Sequence, residues 1–162
     1  MIKIITVTEY NKTVADRIRQ LLTQLSRSGK DKGEIPQEWF EQLISSPWHD
    51  CLLAVDLAED SNTKQDLLIL PEQILGMASV SVIFGAGIGK NAYLEDFVVD
   101  QSARGKGAGH LLFDAYEKWA REKGCKNLEF TCGQGREAAQ QFYRDHGAKT
   151  YDTNFFRKKL DN

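Results

Sequence analysis

The chain has 162 residues, of which 41% are hydrophobic and 27% charged, and its formal net charge is −2. This length and composition predict a single domain, residues 1–162, with a hydrophobic core of its own. The charge balance lacks the basic excess typical of nucleic-acid binding, and the sequence has no apolar run of the roughly 18 residues that a membrane helix needs.

The cysteines and the N-terminus indicate the cellular compartment. The three cysteines, Cys51, Cys125 and Cys132, are odd in number and show no Cys-x-x-Cys spacing. Such cysteines are typical of free thiols in a reducing compartment. The N-terminal apolar stretch is too short for a signal peptide. We therefore expect a cytoplasmic protein that binds no metal and has neither nucleic acid nor membrane as a partner.

Apolar periodicity in the first half of the chain predicts two strands and two helices. They are expected as a strand over 2–8, a helix over 13–27, a short helix from Pro36 to Pro47, and a buried strand over 51–57.

The remaining residues of this half are less regular. Trp48 and His49 are interpreted as structural residues that begin the second strand. The polar residues 58–65 predict a loop, and residues 66–70 predict either a strand extension or a small flap before a proline. The role of the whole 58–73 segment stays open.

The second half of the chain is richer in strands. It predicts strands over 74–84, 93–100 and 127–132, helices over 110–123 and 136–146, and a closing hairpin with arms at 149–151 and 154–160. Only strands whose connection crosses the sheet through a helix can be parallel, so the three middle strands are expected to be antiparallel. The order of elements predicts an α/β domain with a mixed, mostly antiparallel central sheet and helices on both faces.

A glycine-rich turn separates the strand at 93–100 from the following helix. Gly105, Gly107 and Gly109 occupy alternate positions, and Arg104 and Lys106 add positive charge. Glycines let the backbone approach an anion closely, and a helix N-terminus presents N–H groups to it. The stretch therefore predicts a phosphate-binding turn. A second glycine-rich stretch, residues 85–90, lacks the P-loop pattern and predicts only a strand connection.

The strand before the turn has an irregular apolar pattern. Leu94, Phe97 and Val99 are spaced by three and then by two residues. A regular strand cannot place all three side chains on one face, because its side chains alternate. An extra residue restores the alternation, so we predict a β-bulge near residues 95–97.

Two motifs give the sequence a family resemblance. Arg104-Gly-Lys-Gly-Ala-Gly109 matches the Arg/Gln-x-x-Gly-x-Gly/Ala signature of the GNAT superfamily of N-acetyltransferases, and residues 95–100 resemble the strand that precedes it. Residues 136–147 resemble the family's Asn-x-x-Ala-x-x-x-Tyr-x-x-x-Gly-Phe helix. Arg136 replaces the common Asn, and Ala148 replaces the aromatic residue. The resemblance covers about residues 93–160.

The resemblance implies a GNAT fold with strands splayed at the acyl-CoA site, and acetyl-CoA as co-substrate. The Val99 N–H group, with Val98 as its neighbour, would donate to the thioester carbonyl. The residues that the resemblance places at the cofactor are Phe97, Val98, Val99, Arg104, Gly105, Lys106, Gly107, Ala108, Gly109, His110, Arg136 and Tyr143.

The resemblance also implies catalytic roles. Tyr143 matches the family's general acid, which would protonate the leaving thiolate. Asp96 is the first candidate for the base, Glu95 is the second, and deprotonation through water is the alternative. Cys132 is interpreted as a buried thiol, because no histidine lies in the sequence where it could activate a nucleophile.

The predicted function is acetyl-CoA-dependent transfer of an acetyl group to a primary amine of a small molecule, by direct attack in a ternary complex. Acidic residues in the predicted acceptor segments favour a cationic amine, such as a polyamine, an aminoglycoside-like compound or a lysine side chain; a solvated acidic surface explains them equally well. The alternatives are a protein or peptide acetyltransferase, for lysine side chains or N-termini, and a silent CoA-binding regulatory module. Members of the family often form homodimers, and the sequence leaves the oligomeric state open.

Overall fold

The computed structural model describes residues 1–26, 28–57 and 69–160. The chain divides into two compact units, Met1–Phe130 and Thr131–Asn162. Each unit is described by itself, and the prediction of a single domain stays a prediction.

Among its described residues, the first unit contains five strands and three α-helices. In chain order they are β1 (Ile2–Thr6), α1 (Lys12–Leu25), α2 (Gln37–Ser45), β2 (His49–Asp56), β3 (Ile74–Gly85), β4 (Gly89–Val99), α3 (Ala108–Glu122) and β5 (Leu128–Phe130). Two 3-10 turns, Pro71–Gln73 and Gln101–Ala103, precede β3 and α3.

The strands form one sheet in the order β1-β2-β3-β4-β5. The first three pairings are antiparallel and the β4–β5 pairing is parallel. The parallel pair is the one whose connection contains α3, as the geometry of crossovers requires. The predicted mixed, mostly antiparallel sheet is therefore confirmed.

The two faces of the sheet carry different helices. His49 contacts the Leu43 carbonyl of α2, whereas a Cβ added to Gly76 would point at Leu112 of α3. Because side chains alternate along a strand, the odd-numbered residues of β2 and those from Met77 onward in β3 face α1 and α2, and the even-numbered residues face α3. The prediction of helices on both faces is confirmed.

Each face buries its own apolar layer. On the α1–α2 side, the buried cluster includes Ile18, Leu21, Phe40, Leu53, Met77 and Val98. On the α3 side, Leu112, Phe113 and Tyr116 are at most 1% exposed. The sheet is therefore packed between the two layers. This packing fixes the position of β4, the strand that carries the predicted base candidates Glu95 and Asp96.

In the second unit, residues 131–160 are described and include one helix, α4 (Glu137–Asp145). Phe142 packs against the rings of Tyr143 and His146. Gly147 follows the helix at a φ of +82°, as expected of the glycine that ends a helix.

The predicted closing hairpin is wrong. Residues 149–160 form no strand, and Tyr151, Phe155 and Phe156 are between 66% and 86% exposed. Apolar and β-forming residues favour a strand only where a partner strand accepts their backbone hydrogen bonds. Phe155 and Phe156 are also adjacent, so a strand would place them on opposite faces.

Three further findings complete the comparison with the sequence. β5 is shorter than the predicted strand over 127–132 and ends before Cys132. Residues 58–68 lie outside the described residues, so the predicted loop and flap stay predictions. Within the described ranges, no helix combines the length and apolarity needed to cross a membrane.

Candidate active site

The predicted β-bulge is present in β4. Ser79 of β3 lies opposite Asp96, and the next residue, Val80, lies opposite Leu94. Glu95 is therefore the extra residue. The insertion brings Phe97 to the α3 face, where its ring packs edge-to-face against Phe113 with the ring centroids 6.3 Å apart.

The same bulge turns two carboxylates toward the α1–α2 face. The Ser81 hydroxyl donates to a Glu95 carboxylate oxygen at 2.9 Å, and Asp96 lies beside Ser79. Ser79 and Ser81 both lie on this face, since they are odd-numbered residues of β3. Both base candidates are thus on the side of the sheet opposite to α3.

The edge of the sheet opens along β4. β5 pairs with β4 only from Ala92 to Leu94, whereas β4 continues to Val99. The Asp100 N–H group donates to the Leu75 carbonyl of the β3 side at 2.8 Å. Because backbone groups alternate in direction along an antiparallel strand, the N–H and C=O groups of Val99 point away from β3, toward the open edge. The predicted splaying of these strands is confirmed.

Val98 and Val99 therefore differ in what they offer a ligand. Val98 pairs with Met77 and turns its N–H group toward β3, and its side chain is 5% exposed. Val99 turns its backbone outward, and its carbonyl accepts from Arg104 Nε at 3.3 Å. Of these two residues, Val99 is the one whose N–H group can reach a ligand on the open edge.

Asp100 fixes the start of the glycine-rich turn. Its carboxylate accepts from the Ser102 N–H group at 2.8 Å and from Ser102 Oγ at 2.7 Å. It also accepts from Arg17 Nη2 at 2.7 Å and from Gln24 Nε2 at 3.1 Å, both on α1. These donors, those of Ser102 first, hold the pKa of Asp100 well below its usual range. The turn is thereby tied to α1.

The glycine-rich turn has the conformation of an anion site. Gly105 and Gly107 adopt φ values of +77° and +87°, and Gly107 is the N-cap of α3. Apart from the adjacent residues in the chain, a Cβ at either position would meet no described atom within 4 Å. The first N–H groups of a helix have no intrahelical acceptor, and the two cations, Arg104 and Lys106, are exposed beside them. The residues present therefore fit a pyrophosphate, and His110 is exposed in the first turn of the same helix.

Gly76 is a residue of the site that sequence reasoning missed. It lies opposite Val99, and an added Cβ would come within 2.7 Å of the Val98 carbonyl oxygen and 3.2 Å of Leu112 Cδ1. Only glycine lets α3 and the end of β4 approach this closely. An isolated glycine within a β-branched strand is the signal that could have identified it.

Asp96 is partly buried next to charged neighbours. Burial raises the pKa of its carboxyl group, and the Glu95 charge acts in the same direction, whereas Lys32 and His49 oppose it. A carboxylate with a raised pKa is a better proton acceptor at neutral pH than an exposed one. These properties suit Asp96 for the base role, which stays a prediction.

A cavity of about 270 Å³ lies above Asp96 on the α1–α2 face. His49, Ser79 and Asp96 all line it. His49 does begin β2, as predicted, but its 8% exposed ring contacts Ser79 Oγ at 2.9 Å through Nε2. The sequence predicts only that His49 begins a strand; its contact with Ser79, 30 residues away in the chain, arises when the strands pair.

The remaining predicted residues lie in the second unit. Burial and, to a lesser degree, the nearby Cys132 raise the pKa of Tyr143 to about 12, whereas Arg136 lowers it. Arg136 stands at the N-cap of α4. Burial also raises the pKa of the Cys132 thiol, which does not favour a nucleophilic role. Among the described residues, no three His, Cys, Asp or Glu side chains group closely enough to hold a metal ion.

The family assignment rests on a match over most of the chain. Residues 23–148 match the model of the acetyltransferase (GNAT) family. The chain therefore belongs to the GNAT acetyltransferase family, whose members use acetyl-CoA.

Solved structures share the fold along nearly the whole chain. An aminoglycoside acetyltransferase, meta-AAC0020 from an uncultured soil metagenomic sample, in complex with sisomicin, is 19% identical with a TM-score of 0.75, over 98% of this chain and 97% of that chain. AAC(6')-Iy in complex with the bisubstrate analog CoA-S-monomethyl-acetylneamine is 20% identical with a TM-score of 0.69, over 99% of each chain. A Trypanosoma brucei acetyltransferase is 18% identical with a TM-score of 0.71, over 99% of this chain and 100% of that chain. At these identities the similarity establishes the fold alone.

Proposed function

We propose that the protein is an acetyl-CoA-dependent N-acetyltransferase that acetylates a primary amine of a small molecule by direct attack in a ternary complex. The observation that carries this proposal is the bulge at Glu95. It turns Asp96 toward the α1–α2 cavity and, a few residues further, leaves the Val99 backbone on the open edge of β4. A proton acceptor and a hydrogen-bond donor thus lie on one strand.

The residues that would hold the co-substrate follow from the fit described above. The N–H groups of Gly105, Gly107 and Ala108 would bind the pyrophosphate, and Arg104 and Lys106 would balance its charge. The other predicted contacts are Phe97, Val98, Gly109, His110 and Arg136. When bound, acetyl-CoA supplies an acetyl thioester and a thiolate leaving group. The Val99 N–H group would stabilise the negative charge that develops on the carbonyl oxygen, an effect typically worth about 10²–10³ in rate.

Two side chains would move the protons. Asp96 accepts a proton from the acceptor ammonium, which frees the nitrogen lone pair for attack; Glu95 and a water chain are the alternatives. Tyr143, with a pKa of about 12, is protonated at neutral pH and gives its proton to the departing sulfur. The amine loses its second proton as the amide forms, and this proton reaches the Tyr143 phenolate through solvent. Asp96 gives its proton to solvent as the products leave, so each turnover releases one proton.

Three observations support the choice of acceptor and the cellular location. The cavity above Asp96 is lined by two helices, a loop and the sheet, and its volume of about 270 Å³ suits a small molecule better than a polypeptide. The similar solved structures include proteins with sisomicin and an acetylneamine conjugate bound. The free thiols Cys51, Cys125 and Cys132 favour a cytoplasmic location.

The test is a screen of amines with purified protein and acetyl-CoA. Thiol release and product mass spectrometry should reveal an acetylated small amine. A clear preference for peptides would favour a protein acetyltransferase. Tight CoA binding with no turnover on the whole panel would indicate a silent regulatory module.

A further inference from the structure

The cavity above Asp96 is small. It has a volume of about 270 Å³ and lies between α1, α2, the 32–36 loop and the strands β2 to β4. Pockets for drug-sized ligands typically measure about 300–1,000 Å³. A molecule that fills this cavity is therefore smaller than a typical drug.

The walls of the cavity are apolar and include an exposed indole. They are formed mainly by Leu22, Ile35, Trp39, Phe40, Leu43 and Met77. Phe40 is 3% exposed, whereas Trp39, at the preceding position of α2, is 54% exposed. An apolar ligand that enters the cavity would cover part of that indole surface and gain the free energy of its burial.

The floor of the cavity offers hydrogen-bond acceptors. The Leu43 carbonyl can only accept, so His49 Nδ1 donates to it at 3.2 Å. Burial lowers the pKa of His49, so the ring is neutral and its Nε2 atom accepts the Ser79 hydroxyl hydrogen. Ser79 Oγ therefore turns only lone pairs toward a ligand. Beside it, the Asp96 carboxylate also only accepts, so the floor suits a group rich in N–H donors.

The rim of the cavity carries no surplus of negative charge. Glu34 is paired with Lys12 at 3.3 Å, and Arg19 is paired with Asp31. Lys32 is exposed at the rim. Among the cavity-lining residues, this leaves the Asp96 carboxylate and the Lys32 ammonium as the charges with no ion-pair partner within 4 Å in the described part of the chain. Glu95 lies on the same face but outside the cavity lining, where it accepts from Ser81. Within the lining, one cationic group is accommodated at Asp96, and a second would face apolar walls and Lys32.

We infer that the acceptor is a small primary amine with a single positive charge and an apolar aliphatic or aromatic body. Its nitrogen binds between Ser79 Oγ and the Asp96 carboxylate. This inference rests on the proposed function. This narrows the acceptor class predicted from the sequence. The acidic residues on which that prediction depended include Glu38 and Glu41, which are exposed on α2 and do not line the cavity. Glu59, Asp60 and Asp66 lie outside the described residues.

The test compares amines that differ in the apolar body and in the number of ammonium groups. kcat/KM is measured for pentylamine, 2-phenylethylamine and 1,5-diaminopentane with saturating acetyl-CoA. Pentylamine and 1,5-diaminopentane have the same chain length, and the diamine adds one ammonium group. We expect pentylamine and 2-phenylethylamine to exceed the diamine by at least about tenfold, because the second charge would be desolvated without a partner.

The outcomes separate this inference from the proposed function. If the diamine, a longer polyamine or an aminoglycoside reacts as well as or better than the monoamines, the inference is wrong and the N-acetyltransferase proposal stands. If peptides alone react, both the inference and the small-molecule proposal are wrong. If acetyl-CoA binds and no amine on the panel reacts, both are also wrong.

Two variants test the parts of the inference separately. Trp39→Glu places a carboxylate at the cavity rim and should shift the pentylamine to diamine ratio toward the diamine by about tenfold or more. Phe84→Glu is the matched control, since Phe84 is 60% exposed and does not line the cavity. An equal shift in both variants would contradict a role for the cavity wall.

Ser79→Ala removes the acceptor on the floor. It should raise KM for the amine about tenfold while KM for acetyl-CoA stays unchanged, the loss expected of one hydrogen bond to a charged group. Ser79→Thr keeps the hydroxyl group and should restore most of the amine affinity. If Ser79→Ala changes both KM values equally, or if Ser79→Thr restores nothing, Ser79 does not position the amine.

Discussion

The Arg17 guanidinium of α1 donates to the Asp100 carboxylate at 2.7 Å, and both side chains are at least 86% buried, with exposures of 14% and 12%. Arg17 also donates to the Ile74 carbonyl at 3.0 Å, so one side chain joins α1, the start of β3 and the end of β4. The glycine-rich turn begins at the next residue. Its position relative to the sheet is therefore set by a buried ion pair rather than by the glycines.

Asp100→Asn should destabilise the fold by about 1–3 kcal/mol and weaken acetyl-CoA binding, because it leaves the buried Arg17 charge without its partner and loosens the turn. A carboxyl group whose pKa is lowered in the folded state adds to the free energy of unfolding at pH values above its unfolded-state pKa of about 3.9. This contribution is lost as the pH falls below that value. The difference in Tm between wild type and variant should therefore be largest near pH 7 and smaller at acidic pH. Asp114→Asn, at an exposed position of α3, should leave both Tm and acetyl-CoA affinity unchanged.

Gly76→Ala should cost about 1–3 kcal/mol, because the added methyl group lies 2.7 Å from the Val98 carbonyl oxygen and the strand must shift. The shift moves Val99, so kcat should fall more than the stability loss alone predicts. Thermal unfolding and steady-state kinetics measure the two effects. Gly87→Ala, whose methyl group would meet nothing within 4 Å, is the control and should change neither. A stable, fully active Gly76→Ala enzyme would contradict the proposed role of this close approach.

Gly107→Ala should raise KM for acetyl-CoA about tenfold or more, since the methyl group occupies the open space in front of the helix N-terminus. Gly29→Ala is matched to it, because both glycines have positive φ and open surroundings. Both variants should lose about 1 kcal/mol of stability from the left-handed backbone. Only Gly107→Ala should affect acetyl-CoA, and a similar loss of affinity in Gly29→Ala would remove the case for a phosphate contact.

Asp96→Asn should lower kcat by about 10²–10⁴ if Asp96 is the base. The same change should raise Tm at neutral pH, because a carboxyl group whose pKa is raised by burial loses stability as the pH rises and the group ionises. The gain in Tm should vanish below pH about 4, where the unfolded carboxyl is protonated too. Glu95→Gln tests the alternative base. A large fall in kcat in Glu95→Gln with little change in Asp96→Asn would move the role to Glu95.

Tyr143→Phe should lower kcat and leave the Kd for CoA near wild type, because the phenol acts on the leaving sulfur and not on binding. Since the pKa of Tyr143 is about 12, wild-type activity should show no loss from its ionisation up to about pH 10. An unchanged kcat in the variant would rule out the acid role.

The parts of the site that are local in sequence could be predicted. The spacing of Leu94, Phe97 and Val99 revealed the bulge because alternation within one strand decides which side chains share a face. The glycine-rich turn was predictable for the same reason, since Gly105, Gly107 and the start of α3 are contiguous in the chain.

The parts that depend on distant contacts were missed. The pairing of His49 with Ser79 and the tight contact at Gly76 arise only when separate strands and α3 pack together. The closing hairpin failed for the same reason, because the strand tendency of residues 149–160 is realised only with a partner strand. The acceptor cavity likewise requires α1, α2 and the sheet in their final positions.

The bulge also bears on how such a site could arise or be lost in evolution. Asp96 pairs with Ser79 and Leu94 pairs with Val80, so a chain lacking Glu95 could keep each of these pairs in a regular ladder with its side chains on their present faces. Such a chain would lose the local bend that a bulge adds to its strand. A single in-frame codon therefore separates this bulged strand from a regular one, and the same codon lies next to the proposed base.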